Sequence, residues 1–173
     1  MKKQKAVIFD IDGVLAEKSP ERDYREYDKV HLDKHNTEYF EKLIYSYAEK
    51  FYQKNGKWKR EYHIIFITGR KEHCRELTEK WLGNGYYKHY KPICFADCLA
   101  SCSDPISYFL GQRYKLFMRG DKDHRKAHEL KREIYEKEVK DKYDVVACFD
   151  DDPEIIKMYQ EYGLLTFQVG NRN

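Results

Sequence analysis

Lys5-Ala6-Val7-Ile8-Phe9-Asp10-Ile11-Asp12-Gly13-Val14-Leu15 is the stretch on which the reading of the fold turns. Ala6 to Phe9 is an apolar run without a polar break, the pattern of a strand buried on both faces of a parallel sheet. The run ends in Asp10 and Asp12, one residue apart, and then Gly13. Side chains two apart in extended chain point the same way, so both carboxylates are expected at one spot on the strand's carboxyl end. Open α/β sheets bind their ligands at that edge. Two acids held together there repel unless neutralised, and a hard divalent cation such as Mg2+ does this with oxygen ligands. Asp and Gly are also ordinary turn residues, so the pattern by itself equally describes a strand that stops in an acidic turn.

Similar runs recur along the chain. Tyr62 to Thr68 reads as a second buried strand, stopping at Gly69-Arg70. A hydroxyl at a strand end followed by glycine suits a phosphate oxygen, and Arg70 offers a charged fork beside it. Tyr114 to Met118 is a third strand, ending at Arg119-Gly120. Val145 to Phe149 is a fourth, ending in Asp150-Asp151-Asp152-Pro153. Asp152 with Pro153 behind it makes a helix N-cap and first position, which leaves Asp150 and Asp151 to complete a cation site. Leu164 to Val169 is the last strand.

Helical patterns lie between these runs. Asn36 or Thr37 can cap a helix that turns Phe40, Leu43, Ile44, Tyr47, Ala48 and Phe51 inward and ends at Asn55-Gly56. A second helix is expected from Glu72 to about Leu82, closed by Gly83-Asn84-Gly85. A third is expected from Asp123 to Glu138, with Leu130 and Ile134 inward. Its first half is basic (Lys122, His124, Arg125, Lys126, His128, Lys131, Arg132), either a solvated face or cations that meet an incoming phosphate. Ile155, Ile156, Tyr159 and Tyr162 pack a last helix ended by Gly163. The polar segment from Ala16 to His35 is a solvated connector or a flap folded back over the acids. Strands alternating with helices predict an α/β fold, a doubly wound parallel sheet of about five strands flanked by helices.

At 173 residues, a single domain (1-173) is expected, with 86-113 as the least readable part and a possible insertion. Tyr86-Tyr87-Lys88-His89-Tyr90-Lys91 interleaves aromatics with cations, a composition that either stacks bases or packs on the body as a surface loop. A net charge of +3 makes no bulk argument for nucleic acid, so any basic footprint is local. No apolar run has membrane-spanning length, and the segment after Lys5 is too short for a signal peptide, so a cytoplasmic protein without membrane contact is expected. Five cysteines fit a reducing compartment. Cys94, Cys98 and Cys102 recur every four residues, but no Cys-x-x-Cys pair supports zinc over small buried hydrophobes.

Asp10-Ile11-Asp12-Gly13-Val14-Leu15 resembles the first motif of the haloacid dehalogenase (HAD) superfamily, with Val14 where Thr is usual. Thr68 and the Asp150-Asp151 pair resemble its second and third motifs, in order. The resemblance implies a Rossmann-like HAD fold with a minimal cap, Asp10 as the nucleophile that becomes an aspartyl-phosphate, and Asp12 as general acid and base. It implies Thr68 as phosphate ligand, Lys131 as the charge-balancing lysine, and Mg2+ held by the Asp10 carboxylate, the Asp12 backbone carbonyl, Asp150 and Asp151. A narrower resemblance, to the 3′-phosphatase domain of phage-type polynucleotide kinase/phosphatase, rests on Arg22…Tyr27-Asp28-Lys29-Val30, Thr68-Gly69-Arg70, Arg119…Arg125-Lys126…Lys131 and Phe149-Asp150-Asp151…Met158-Tyr159. Family members often carry an acid one turn before the lysine, where this chain has Ala127-His128.

It implies that Arg22, Arg70 and Arg119 touch substrate and that the substrate is the 3′-phosphate of a DNA or RNA end. No Gly-x-x-x-x-Gly-Lys-Ser/Thr loop is present, so either a stand-alone phosphatase or one that relies on a separate kinase or ligase is expected. The alternatives are a HAD phosphatase for small nucleotides or other phosphometabolites, and a non-catalytic nucleic-acid-binding module on the same scaffold.

Overall fold

A computed structural model of the chain describes residues 3–23, 25–36, 44, 47, 51–54, 57–89 and 114–170. Strand β1 (Gln4–Phe9) is the middle of a five-stranded sheet, and Ala6 to Phe9 are buried as an unbroken apolar run requires. The other strands named below are numbered in chain order. Strand β6 (Tyr62–Lys71) pairs with one side of β1, and β7 (Tyr114–Arg119) lies outside β6. Strand β8 (Tyr143–Asp150) pairs with the other side, and β9 (Thr166–Gln168) lies outside β8. All four pairings are parallel. In chain order the sheet therefore reads 3-2-1-4-5, the doubly wound order, and its switch point falls between β1 and β8.

Helix α1 (Arg75–His89), helix α2 (Ala127–Ile134) and helix α3 (Pro153–Glu161) flank the sheet. One face carries Val7, Phe9, Phe66, Trp81 and Phe149; the other carries Ile8, Ile65, Ile67, Cys148, Met158 and Tyr159. Phe9, Phe149 and the half-exposed Phe167 form a continuous stack with ring centroids 4.8 and 4.9 Å apart, tying three adjacent strands together.

Several boundaries differ from those the sequence pattern predicts. Ala16 to His35 is not a plain loop: it holds a short antiparallel pair, β2 (Ala16–Glu17) with β3 (Lys34–His35), around a 3-10 helix from Tyr27 to Leu32. Of the amphipathic segment after it, Ile44 and Tyr47 are described, and both are helical and packed on the core. Phe51, assigned to that helix by periodicity, instead begins β4 (Phe51–Lys54), which pairs antiparallel with β5 (Lys57–Arg60). Lys54 pairs with Lys57, and the expected helix stop Asn55-Gly56 lies outside the described residues.

Helix α1 does not close at Gly83-Asn84-Gly85 but continues to His89. A glycine costs a helix about 1 kcal/mol against alanine. Burying Trp81 or Leu82 contributes about 1.5–3 kcal/mol each, so the anchored helix outweighs its weak residues. Helix α2 begins at Ala127 rather than Asp123, because the Asp123 carboxylate accepts the Arg125 backbone N–H at 2.9 Å and holds that segment in a turn. It runs on into a π-helical turn, Tyr135–Val139. Tyr86 to His89 are helical, while the remainder of the possible insertion, including Cys94, Cys98 and Cys102, lies outside the described residues. No described helix is long and apolar enough to cross a membrane.

The aromatic stack gives a direct check on the sheet order. Phe9→Ala is expected to lower unfolding free energy by about 3–5 kcal/mol. Urea denaturation measures it, and a loss under about 1 kcal/mol would place Phe9 outside a packed core.

Candidate active site

The switch point brings the carboxyl ends of β1 and β8 side by side, where the Asp10 N–H donates to the Phe149 carbonyl at 2.9 Å. Carboxylate oxygens of Asp10, Asp150 and Asp151 lie within 4.8 Å of one another there. Lys131 enters from α2, wholly buried, with Nζ 3.0 Å from Asp10 Oδ1 and 2.7 Å from Asp150 Oδ2. The other Asp150 oxygen accepts the Asp152 N–H at 3.1 Å. Asp152 itself caps α3 by accepting the Glu154 N–H at 2.9 Å, as Asp-Pro at a helix start requires.

Two buried carboxylates thus share one ammonium, with the half-buried Asp151 carboxylate beside them. Burial pushes the Asp10 carboxyl up to about 8, and the charges of Asp150 and Asp12 add to this against the pull of Lys131. Burial also raises Asp150. It works against the Lys131 charge as well, yet Asp10 and Asp150 outweigh it and hold that group above its ordinary value.

A cation fits this set. Asp10 Oδ1 is buried and receives no aligned hydrogen bond among the described residues. Gly13, at φ +85°, leaves room that a side chain would fill: a Cβ there would stand 2.4 Å from Asp151 Oδ2. An all-oxygen donor set with excess negative charge suits a hard divalent ion.

Asp12 joins a different cluster. Leu15 and Ala16 donate their N–H groups back to the Ile11 carbonyl at 2.9 and 2.8 Å, so the chain turns sharply instead of continuing as a strand. The Asp12 carboxylate, 40% exposed, receives Arg70 Nε at 3.0 Å and Arg70 Nη2 at 2.8 Å. Arg22 Nη2 stands 3.6 Å away. The fork that sequence reading aimed at phosphate is therefore closed on Asp12. Both arginines are buried and converge on Asp33, which sequence reading missed: Arg22 Nη2 lies at 2.9 Å and Arg70 Nη2 at 3.0 Å from its Oδ2.

Asp33 also accepts Arg22 Nε and the Ser19 N–H, and its carbonyl accepts the Trp81 indole N–H at 2.8 Å. Trp81 in turn lies under the Arg70 guanidinium, 5.1 Å from it, and stacks on His35. No local spacing announces Asp33, because its partners are 11 and 37 residues distant.

Thr68 is buried, and its hydroxyl accepts the Arg70 N–H at 3.2 Å. Arg119 is fixed from two sides, donating Nε to the Gly69 carbonyl and Nη1 to the Arg125 carbonyl at 2.6 Å. Much of the basic stretch is paired with acids: Arg125 with Asp123 and Glu133, His128 with Glu154, Arg132 with Glu161. Lys122, His124 and Lys126 are exposed.

A doubly wound sheet with an aspartate at its switch point, two further acids beside it and a lysine that pairs with two of the three is the arrangement of a HAD-type phosphatase. The chain belongs to the family described as the polynucleotide kinase PNKP phosphatase domain, which matches residues 4–98 and 106–173. It is 29% identical over 103 residues to a protein of Autographa californica nuclear polyhedrosis virus named as a bifunctional polynucleotide kinase/RNA ligase. That match takes in 60% of this chain and only 12% of the viral protein. Among solved structures it resembles a chain of the Pnkp1/Rnl/Hen1 complex, with TM-score 0.69 and 27% identity over 96% of this chain and 46% of that one. A chain from the Pnkp1/Rnl/Hen1 RNA repair complex gives TM-score 0.69 and 26% identity, with 42% of that chain covered.

Two variants probe the two clusters separately. Gly13→Ala forces Asp151 aside and is expected to weaken divalent-cation affinity by about 10–100-fold. Calorimetric titration measures it, and unchanged affinity would remove Asp151 from the cation site. Asp33→Ala leaves two buried guanidinium groups without their shared acid, an expected loss of about 3–5 kcal/mol in unfolding free energy. A neutral result in denaturant would mean that Arg22 and Arg70 are not buried on Asp33.

Proposed function

We propose that this chain is a Mg2+-dependent phosphatase that removes the 3′-phosphate from DNA or RNA ends through an aspartyl-phosphate on Asp10. The observation that supports it most is the Asp10–Lys131–Asp150 arrangement at the switch point, in a chain of the PNKP phosphatase-domain family.

Asp10, Asp150 and Asp151 would hold the ion through their carboxylates and Asp12 through its backbone carbonyl. When bound, Mg2+ supplies the positive charge that keeps Asp10 ionised and lessens its repulsion of a phosphate dianion. Lys131 fixes the Asp10 and Asp150 carboxylates in place and offsets part of their charge. Asp10 attacks phosphorus, and the bond from phosphorus to the 3′ oxygen breaks. Asp12 gives that oxygen its proton, then takes a proton from the water that attacks phosphorus and returns Asp10 to its carboxylate. The Arg22–Arg70 pair holds Asp12 for both transfers, and Thr68 and Arg119 meet the phosphoryl oxygens. The viral relative is named as a polynucleotide kinase/RNA ligase, so a kinase or ligase activity, on this chain or another, is the fitting partner.

Phosphate release from a 3′-phosphorylated oligonucleotide tests the substrate, with the matching 3′-mononucleotide as comparison. The oligonucleotide is expected to be preferred, and a strong preference for the mononucleotide would instead favour a phosphatase of small nucleotides. Asp10→Asn is expected to lower turnover by about 10³-fold or more while retaining oligonucleotide binding.

The raised Asp10 carboxyl also sets a pH dependence. Between its ordinary value near 3.8 and about 8, the folded metal-free protein keeps a proton that the unfolded chain has released. Its stability therefore falls as pH rises through that window, and Mg2+ replaces the proton. The Mg2+-induced rise in Tm is expected to grow from pH 5.5 to pH 8, and a rise independent of pH would contradict Asp10 as a ligand.

A further inference from the structure

The loop from Gly120 to Lys126, between β7 and α2, has no part in the chemistry above. It carries Asp121 and Asp123 among Lys122, His124, Arg125 and Lys126. Both acids are engaged. Asp121 Oδ1 accepts the His73 backbone N–H at 3.0 Å and stands 2.8 Å from the His73 Nδ1. Asp123 takes the Arg125 guanidinium on both oxygens, with Nε at 3.2 Å from Oδ1 and Nη2 at 2.6 Å from Oδ2. Lys122, His124 and Lys126 are exposed, and none of them forms an ion pair among the described residues. The acids of the loop are thus held in pairs, and its two lysines are left over.

Those lysines stand on a fixed frame. Lys71 donates Nζ to the carbonyls of Gly120, Asp121 and Asp123, at 3.3, 2.9 and 2.5 Å, tying the exit of β6 to the exit of β7. Arg119 donates Nη1 to the Arg125 carbonyl at 2.6 Å and so closes the loop across its base. A backbone already held this way has little freedom left to lose when a ligand settles on it.

Both ends of the loop are anchored at the phosphate site. At its start, Arg119 Nε donates at 3.3 Å to the carbonyl of Gly69, the residue after Thr68. There β7 lies two strands from β1, about 10 Å at ordinary strand spacing. At its end, Lys126 is the N-cap of α2, and Lys131 on that helix reaches Asp10 Oδ1 at 3.0 Å. Only about 7.5 Å of axial rise separates those two lysines. The loop therefore borders the site without entering it.

We infer that Lys122 and Lys126 form a track for the phosphodiester backbone of the strand whose 3′ end enters the site, holding phosphates that precede the terminal nucleotide. The inference rests on the 3′-phosphatase reading and deepens it: Arg119 meets the terminal phosphate, and the two lysines meet those next to it. Contacts to backbone phosphates position a strand without reading its bases, so the track accepts any sequence.

The test compares a single-stranded oligonucleotide carrying a 3′-phosphate with the matching 3′-mononucleotide. Lys122→Ala and Lys126→Ala together are expected to raise KM for the oligonucleotide about 10-fold with kcat little changed. KM for the mononucleotide is expected to stay where it was. For the oligonucleotide, log kcat/KM falls as log salt rises, and the double variant is expected to flatten that slope by about 1.4, roughly 0.7 for each phosphate contact removed. Lys122→Arg with Lys126→Arg is expected to restore both KM and slope. Both side chains are exposed, so the variants leave the core intact. An unchanged slope, or equal rises in KM on both substrates, would overturn the inference and leave the 3′-phosphatase reading standing. If the unaltered protein hydrolyses the mononucleotide but not the oligonucleotide, the polynucleotide reading fails first and takes the track with it.

Discussion

A buried lysine between two buried aspartates is the constraint on which the rest of the structure depends. Lys131 can reach Asp10 and Asp150 together because β1 and β8 are adjacent and parallel, so their carboxyl ends stand side by side. Desolvating such a set costs more than its attractions return, so it is poor as a device for stability. The excess of acid over base gives it a different meaning. It is a place where positive charge is wanted, and burial keeps the bulk solvent from supplying it.

A second polar cluster stands next to the first and differs in kind. Around Asp12 and Asp33 the charges are balanced, two acids against Arg22 and Arg70, and Trp81 and His35 brace the guanidinium from below. One cluster carries an excess of acid that a cation would offset, and the other holds a single carboxylate still. The sharp turn after Asp10 separates the two aspartates of the first motif between them. Gly13 belongs to that division: its lack of a side chain lets Asp151 approach the turn from the far strand. The two aspartates of the first motif thus receive different surroundings, although one residue lies between them in the chain.

What was legible in the sequence was what local pattern dictates. Unbroken apolar runs such as Val7-Ile8-Phe9 and Ile64 to Ile67 can only be doubly covered strands, and polar residues at their ends mark the functional edge. The Asp152-Pro153 helix start was readable for the same reason. Boundaries decided by tertiary contacts were not. Helix α1 passes through Gly83 because Trp81 and Leu82 anchor it, and Asp123 starts a turn because Arg125 and Arg119 claim its carboxylate. Phe51 obeyed the helical period yet sits in a hairpin. In the site, the motif acids could be found from spacing, but the role of Arg70 could not. Its partners, Asp12 and Asp33, lie 58 and 37 residues away, and nothing in the sequence around Asp33 marks it as a buried acid.

The central claim is that Asp10 forms a covalent bond to phosphorus, and chemical trapping tests it most directly. The protein is quenched in acid while turning over a 3′-phosphorylated oligonucleotide, then treated with borohydride, which reduces an aspartyl-phosphate to homoserine. Mass spectrometry of the peptides is expected to find homoserine in place of Asp10 and at no other aspartate. Phosphate release with Asp10 unmodified, or with Asp150 or Asp151 converted instead, would contradict the account.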